Sequence, residues 1–375
     1  MKSTEEYKYL SLKSFQQQDF KNTPSLGLWG SEQDLILDQQ KKQFQDEYLL
    51  VIVDGSVDLS KSIYPKNKIN LESELDAEPG SDSGSDSGSD KKHQLNIQDS
   101  LDRNLHLLFV NSSIAGQKRL VESTLILNLA AKVNVTVVEN HAVSDHTAVA
   151  VKNTVQVKLS PEAKLNWIKW QGGNSESYYF SKSTFDLQNQ SELKYWNIQT
   201  GSKISRQDLE VHASQPLAEA QVYVMSATDQ DNVVDHFTSV FHHETACKTI
   251  QHHKNILHEK SKSNFLGRVF IQPQAQKADS QQLNNNLLLS DDAEVNSRPV
   301  LEIQADDVKA THGSTVGQIS AEELFYLQSR GISKSKALSL LTQGFVVDLL
   351  QLIPDAKVRQ FSESLFKNKM KSWQI

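Results

Sequence analysis

Between residues 105 and 305 the chain keeps returning to a rhythm of two. Short alternating runs such as "LHLLFV", "VNVTVVEN", "TAVAVKNTVQVKL", "AKLNWIKW", "LKYWNI", "AEAQVYVMSA" and "SNFLGRVFI" follow one another with polar links between them. A period of two sends successive side chains to opposite faces of a strand, so each run reads as a strand with one buried face. No long amphipathic helix interrupts the series. The region is therefore expected to be all β.

Two architectures accommodate such a series, an antiparallel sandwich or a parallel solenoid. A sandwich needs hairpins, and Asn-Gly or Asp-Gly is their strongest short signal. That signal occurs once, at Asp54-Gly55, ahead of the region. The links inside it are mixed polar instead, as in "NQSEL" and "TDQDNVV". "QQLNNNLLLS" adds Asn284, Asn285 and Asn286. Asparagine tolerates left-handed bends, and stacked amides can form ladders. These features favour the solenoid. No fixed repeat length is visible, so its coils are expected to be irregular.

The flanks differ. Residues 1–104 read as an N-terminal region, loosely helical to residue 48, with a hairpin about Asp54-Gly55. It also carries an acidic insert at 76–92, "DAEPGSDSGSDSGSDKK". Serine, aspartate and glycine bury too little apolar surface to offset chain ordering, so the insert reads as disordered. Residues 105–318 form the β core, and 319–375 a C-terminal helical domain. There Ser320 and Glu323 are spaced as a capping box, and Gly331 closes the first helix. Leu338, Leu341, Phe345, Leu349 and Leu352 are expected to share one face of the next.

Composition excludes several function classes. The formal net charge is −7 and no basic stripe appears, which argues against phosphate-backbone binding. The single cysteine, Cys247, forbids an internal disulfide. No signal-type apolar stretch opens the chain, and no run approaches the ~18 apolar residues of a membrane span, so a cytoplasmic location is expected. There is no Walker A loop, no G-x-G-x-x-G after a strand and no G-x-S-x-G elbow, and "HHETAC" lacks the second histidine of H-E-x-x-H.

Two histidine groupings remain. His242, His243, His252, His253 and His258 cluster about Cys247, and imidazole with thiolate suits zinc, iron or copper. Adjacent residues of a strand face opposite ways, however, so each pair can offer only one member to a common site. His312 stands apart in "DDVKATHGSTVGQIS", where the β series meets the helices. Gly313 and Gly317 beside it are expected to mark a chain reversal or a close backbone approach.

Residues 281–333 carry the segments "NNNLLL", "AEVNSRPVLEI", "ADDVK", "HGSTVG" and "FYLQSRGI" in that order. They closely resemble the C-terminal signature of the SufB/SufD family of the SUF iron–sulfur cluster assembly system. The H-G-x-T-V-G form is similar to the SufD branch. The resemblance implies a right-handed parallel β-helix flanked by helical regions. It implies a non-enzymatic scaffold in a complex with SufB, met through the β-helix end, and with the ATPase SufC, docked on the C-terminal helices. It further implies that His312 is a ligand at the SufB seam for a transient cluster or iron, with Gly313 and Gly317 forming an interface turn. Phe325, Tyr326, Leu338, Leu341 and Phe345 are expected to belong to the SufC-docking face or to core. Many SufD chains have a cysteine two residues before this histidine, but here the position is Ala310, so no thiol is available there. Nothing in the motifs marks a flavin, whose presence in the complex stays open. The rival class is a carbohydrate-active β-helix enzyme, a lyase or hydrolase, which needs carboxylates sharing a groove. The adjacent Asp306 and Asp307 suit that poorly. A metal-free homodimer is a third reading.

Overall fold

A computed structural model describes residues 46–53, 56–57, 62–73, 91–111, 119–143 and 148–373. The N-terminal segment to residue 45, the Asp54-Gly55 turn and the insert to residue 90 lie outside the described residues. The strands alternate between two sheets. One holds β1 (Tyr48–Val53), β2 (Ser56–Val57), β5 (Leu105–Asn111), β7 (Asn134–Val143), β9 (Lys164–Gln171), β11 (Glu192–Gln199), β13 (Glu219–Thr228), β15 (Lys248–Leu257), β17 (Asp279–Leu288) and β19 (Lys309–Gln318). The other holds β3 (Ile69–Ser73), β4 (Lys91–Ile97), β6 (Arg119–Leu129), β8 (Val149–Leu159), β10 (Tyr178–Leu187), β12 (Ile204–Ala213), β14 (Val233–His242), β16 (Lys262–Ile271) and β18 (Glu294–Ile303).

From β4 onward each strand pairs in parallel with the strand two places on in sequence, which is the pattern of a two-sheet β-solenoid. The solenoid expectation holds. Strand stacking already begins before residue 105, because β1 runs parallel to β5 and β4 to β6. Lys91 and Lys92, assigned above to the acidic insert, open strand β4.

Register explains why no fixed repeat is legible. Lys164, Glu192, Glu219, Lys248, Asp279 and Lys309 stack as direct partners, yet successive members are separated by 28, 27, 29, 31 and 30 residues (192 − 164, 219 − 192, and so on). The variation is absorbed at the corners. There Lys132, Glu162, Gln190, Leu217, Ala246 and Lys277 take left-handed backbone conformations with φ between 56° and 64°. None is glycine or asparagine, although such a conformation disfavours other residues. The compensation is a ladder of backbone bonds to the next coil: Lys132 N–H donates to Pro161 O (3.0 Å), Glu162 to Asn189 (2.9 Å), Gln190 to Pro216 (3.2 Å) and Ala246 to Gln276 (2.8 Å). Asn284–Asn286, expected at a bend, sit inside β17 instead.

The inward positions of the early coils form one apolar cluster, including Leu50, Leu107, Leu127, Val157, Trp167, Phe185 and Tyr195. Phe185 packs edge-on against Trp167 (5.7 Å) and Tyr195 (5.5 Å). Outside, opposite charges stack at the strand starts, as in Lys164–Glu192 (2.6 Å) and Lys248–Glu219 (3.1 Å).

Helices α1 (Ala321–Ser329), α2 (Lys334–Gln351) and α3 (Ala356–Ser372) complete the chain. Ser320 caps α1 by accepting from Glu323 N–H (3.4 Å), as its spacing predicted. The helices do not cover the solenoid end. They lie on the outer flank of β9–β15, where Val346, Leu349, Leu350, Val358 and Phe366 cluster with Ile168, Trp170, Trp196 and Met225. The buried face of α2 therefore runs through Ala337, Thr342, Val346, Leu349 and Leu350, and Leu352 points to solvent. The expected stripe is rotated, because contact with the outer flank of the sheet, not the spacing of leucines, decides which positions are buried.

The packing yields a contrast. Phe185→Ala should lower unfolding free energy by about 3–5 kcal/mol, read in denaturant, whereas Lys164→Ala on the solvated charge ladder should leave the midpoint almost unmoved.

Candidate functional site

The two sheets end at β18 and β19, which have no further strand beyond them among the described residues. Both strands are largely exposed, in contrast to the buried alternation of those beneath. An edge strand offers unpaired N–H and C=O groups to another chain. His312 lies in the middle of β19, in register with Gln282, which itself stands on Gln251. Those two glutamines are buried and His312 is exposed, so the histidine tops an interior column whose next coil is missing. Beside it Ser314 tops a second column above Asn284 and His253, and its hydroxyl lies 2.9 Å from that of Ser297 across the opening. Exposed Val316 and Ile303 add apolar surface to the same end.

Gly313 and Gly317 do not form a turn. Both lie within β19, paired to Leu283 and Leu287, and neither has a positive φ. Parallel pairing holds them extended. At Gly313 a Cβ would meet Leu283 Cδ2 at 3.1 Å, so the residue gives room to that leucine. Asp306 and Asp307, the only carboxylate pair weighed for the enzyme reading, precede β19 in the link from β18, and both are exposed.

The docking candidates divide. Phe325 and Tyr326 on α1 are 72% and 57% exposed, and α1 buries no residue at all. Leu338 joins Leu288, Leu289, Ile319 and Leu324 in lining a groove of about 340 Å³ between the helices and the last coils. Leu341 is half-buried, and Phe345 packs on the flank beneath Lys254. Polar latches fix the helices there. Lys254 bonds Asp348 (2.8 Å), Trp170 Nε1 donates to Ser362 Oγ (2.9 Å), and Asp229 accepts from Lys369 (2.7 Å) and Trp373 Nε1 (2.6 Å).

The histidines about Cys247 scatter as strand alternation requires. His242 points inward and bonds Thr249 (2.9 Å), while His243 points outward and stacks on His212. His252 is on the outer side against Asn285 (2.7 Å), and His253 is inside beside His236. His258 lies against Trp373. No group of three or more metal-ligating side chains forms among the described residues. Cys247 is buried, and burial pushes its thiol pKa up. A protonated, enclosed thiol is a poor ligand.

One cluster was missed at the level of sequence. Inside β7–β10, Glu139 and Lys169 form a fully buried ion pair (3.0 Å). Glu139 also meets His141 (2.6 Å) and accepts from Asn153 (2.8 Å) and Trp167 Nε1 (2.8 Å), and Lys169 reaches Ser181 (2.8 Å). Burial alone would raise the Glu139 pKa, but the Lys169 charge and the His141 bond reverse this and hold it low. Burial pulls Lys169 down against the pull of Glu139. The available signal was parity. In "VVENHAV" and "NWIKWQ" the charges fall on inward positions.

Residues 111–345 match the model of the SUF system FeS cluster assembly SufBD core domain. The chain belongs to the SufBD family. Over 205 residues this SufBD chain is 32% identical to an iron–sulfur cluster assembly SufBD family protein of Synechocystis sp., which covers 54% of the chain and 45% of that protein. It is 28% identical over 257 residues to the iron–sulfur cluster assembly protein SufD of Escherichia coli, covering 68% of the chain and 61% of that protein. It is 28% identical over 172 residues to SufD of Bacillus subtilis, covering 46% and 39%. The alignments thus span about half the length of these relatives. Within its family the chain is SufD-like. No helix among its described residues is long and apolar enough to cross a membrane.

The buried pair carries its own test. Glu139→Gln keeps an acceptor for Trp167 but strands the Lys169 charge, so it should cost about 3–5 kcal/mol. Because the folded pKa of Glu139 lies below its ordinary value of 4.5, its stabilisation is present above that pH and is lost as pH falls through the folded value. Acid unfolding of the wild type should include this component, and the variant should lack it.

Proposed function

We propose that this SufD-like chain is a non-catalytic scaffold subunit for iron–sulfur cluster assembly. It meets SufB at the uncovered end of its solenoid and lends His312 as one ligand to a cluster or iron held at that seam. The cluster is cargo. The C-terminal helical domain, 319–375, docks SufC, whose ATP hydrolysis supplies the work. Its exposed Phe325 and Tyr326 and the Leu338 groove are the surfaces proposed for that contact.

The observation that carries the reading is the pairing of an exposed imidazole on the last strand with the absence of a usable thiol. A cluster commonly takes four protein ligands, mainly thiolates. The only cysteine here is buried far from β19 in the chain and protonated. His312 can therefore serve only as a contributed ligand, with sulfur ligands from a partner.

Anaerobic reconstitution with SufB and SufC tests this directly. His312→Ala should leave the fold and complex assembly intact and cut bound iron and sulfide several-fold. Unchanged cluster content in that complex would remove the ligand role.

A further inference from the structure

Two coils below the exposed end, two imidazoles face each other across the solenoid interior. His236 on β14 and His253 on β15 are both buried, with ring centres 6.0 Å apart and planes inclined at 59°. Neither nitrogen of His253 has a hydrogen-bond partner among the described residues, and Nε2 of His236 has none. Leaving one buried polar group unpaired costs about 1–3 kcal/mol, and three such nitrogens meet here.

The neighbours do not relieve them. Phe265 lies against the His253 ring at 4.6 Å. Below His253 in its column stands Val224, and above it Asn284. The amide of Asn284 is already engaged, accepting from Asn255 (3.3 Å) and donating to Ser297 (2.8 Å). The positions directly above and below His253 are thus occupied or apolar, and among the described residues no carboxylate or thiol groups with the two rings.

We propose that His236 and His253 form an internal site for a monovalent d10 ion of the copper(I) type, held between one nitrogen of each ring. Two nitrogens each about 2 Å from a shared ion stand about 4 Å apart when in line with it. With one nitrogen of each ring turned towards the ion, ring centres about 6 Å apart match a near-linear bridge. A tetrahedral ion would draw the rings closer and needs further ligands, and no third histidine, cysteine or carboxylate groups with these two among the described residues. Imidazole is a suitable donor for copper. Low ionic charge also suits a neutral cavity, since enclosing a bare dication there would be far more costly. Burial holds both rings neutral, with His236 pulled down to about 3 and His253 well below its ordinary value, so their lone pairs are free at neutral pH. The site shares no residue with the His312 reading and does not depend on it.

The test is anaerobic titration of the full chain with copper(I) against a competing chelator. A Cys247→Ser background removes the thiol as a rival. One tightly held equivalent is expected, with X-ray absorption reporting two nitrogen ligands near linearity. His236→Gln and His253→Gln should each abolish it. His252→Gln, on the opposite face of the same strand, and His312→Ala should retain it. The proposal is overturned if no equivalent resists the chelator, or if His252→Gln or His312→Ala removes it equally. A wild-type absorption spectrum with sulfur, oxygen-rich or four-coordinate surroundings overturns it as well, and that reading needs no variant to fold.

Discussion

Every coil of this solenoid is held by the coils on either side of it. In-register parallel pairing sets each inward side chain on its counterpart one turn away, and the corner residues donate across the same gap. The arrangement excludes isolated coils. It also leaves an unavoidable problem at the end of the stack, where hydrogen-bonding groups and an interior cross-section face outward. Many solenoids solve this with a capping element. Here the helices that could have served as a cap are pinned to the flank by a shared apolar cluster and by Lys254, Asp229 and Trp170. The last coil is left uncovered, its two strands largely exposed.

The interior changes character along the axis in a way that fits this. Apart from the Glu139–Lys169 cluster, the early coils are filled largely by leucine, valine, phenylalanine and tryptophan. Towards the open end the inward columns become amides and imidazoles: Gln251 and Gln282, Asn255, Asn284 and Asn286, His253, and then exposed His312 and Ser314. Asn255 donates to Asn286 (2.8 Å) and Gln282 to Gln251 (3.2 Å), so the polar columns are knit together rather than loose. An apolar cross-section left open would be an aggregation surface. A polar one can stand in water until a partner arrives, and can hold polar cargo afterwards.

Much of this was legible in the residues. The period of two marked the strands, the scarcity of Asn-Gly and Asp-Gly pointed to parallel stacking, and strand parity forecast the scattering of His242, His243, His252 and His253. What escaped notice depended on contacts distant in sequence. Gly313 and Gly317 read as a turn because glycine usually marks one, yet pairing with β17 keeps both extended. The asparagine run suggested both bends and amide ladders; Asn284 and Asn286 do join interior ladders, but the bends fall on Lys132, Glu162 and Ala246, held there by the next coil. The Glu139–Lys169 pair was hidden because charges are expected outside, and only alternation counted along both strands reveals that these two face in. On α2 the sheet selected the buried stripe, which a leucine count misplaces by a fraction of a turn.

The central claim is that β19 is an unfinished edge that a SufB-type partner completes. Amide hydrogen exchange across Lys309–Gln318 tests it most directly. In the chain alone, the N–H groups on the free side of β19 should exchange rapidly while those of β15 stay protected. Adding the partner should slow β19 by orders of magnitude and leave the outer face of the early coils unchanged. Rapid exchange of β19 within a complex that has demonstrably formed would contradict the account.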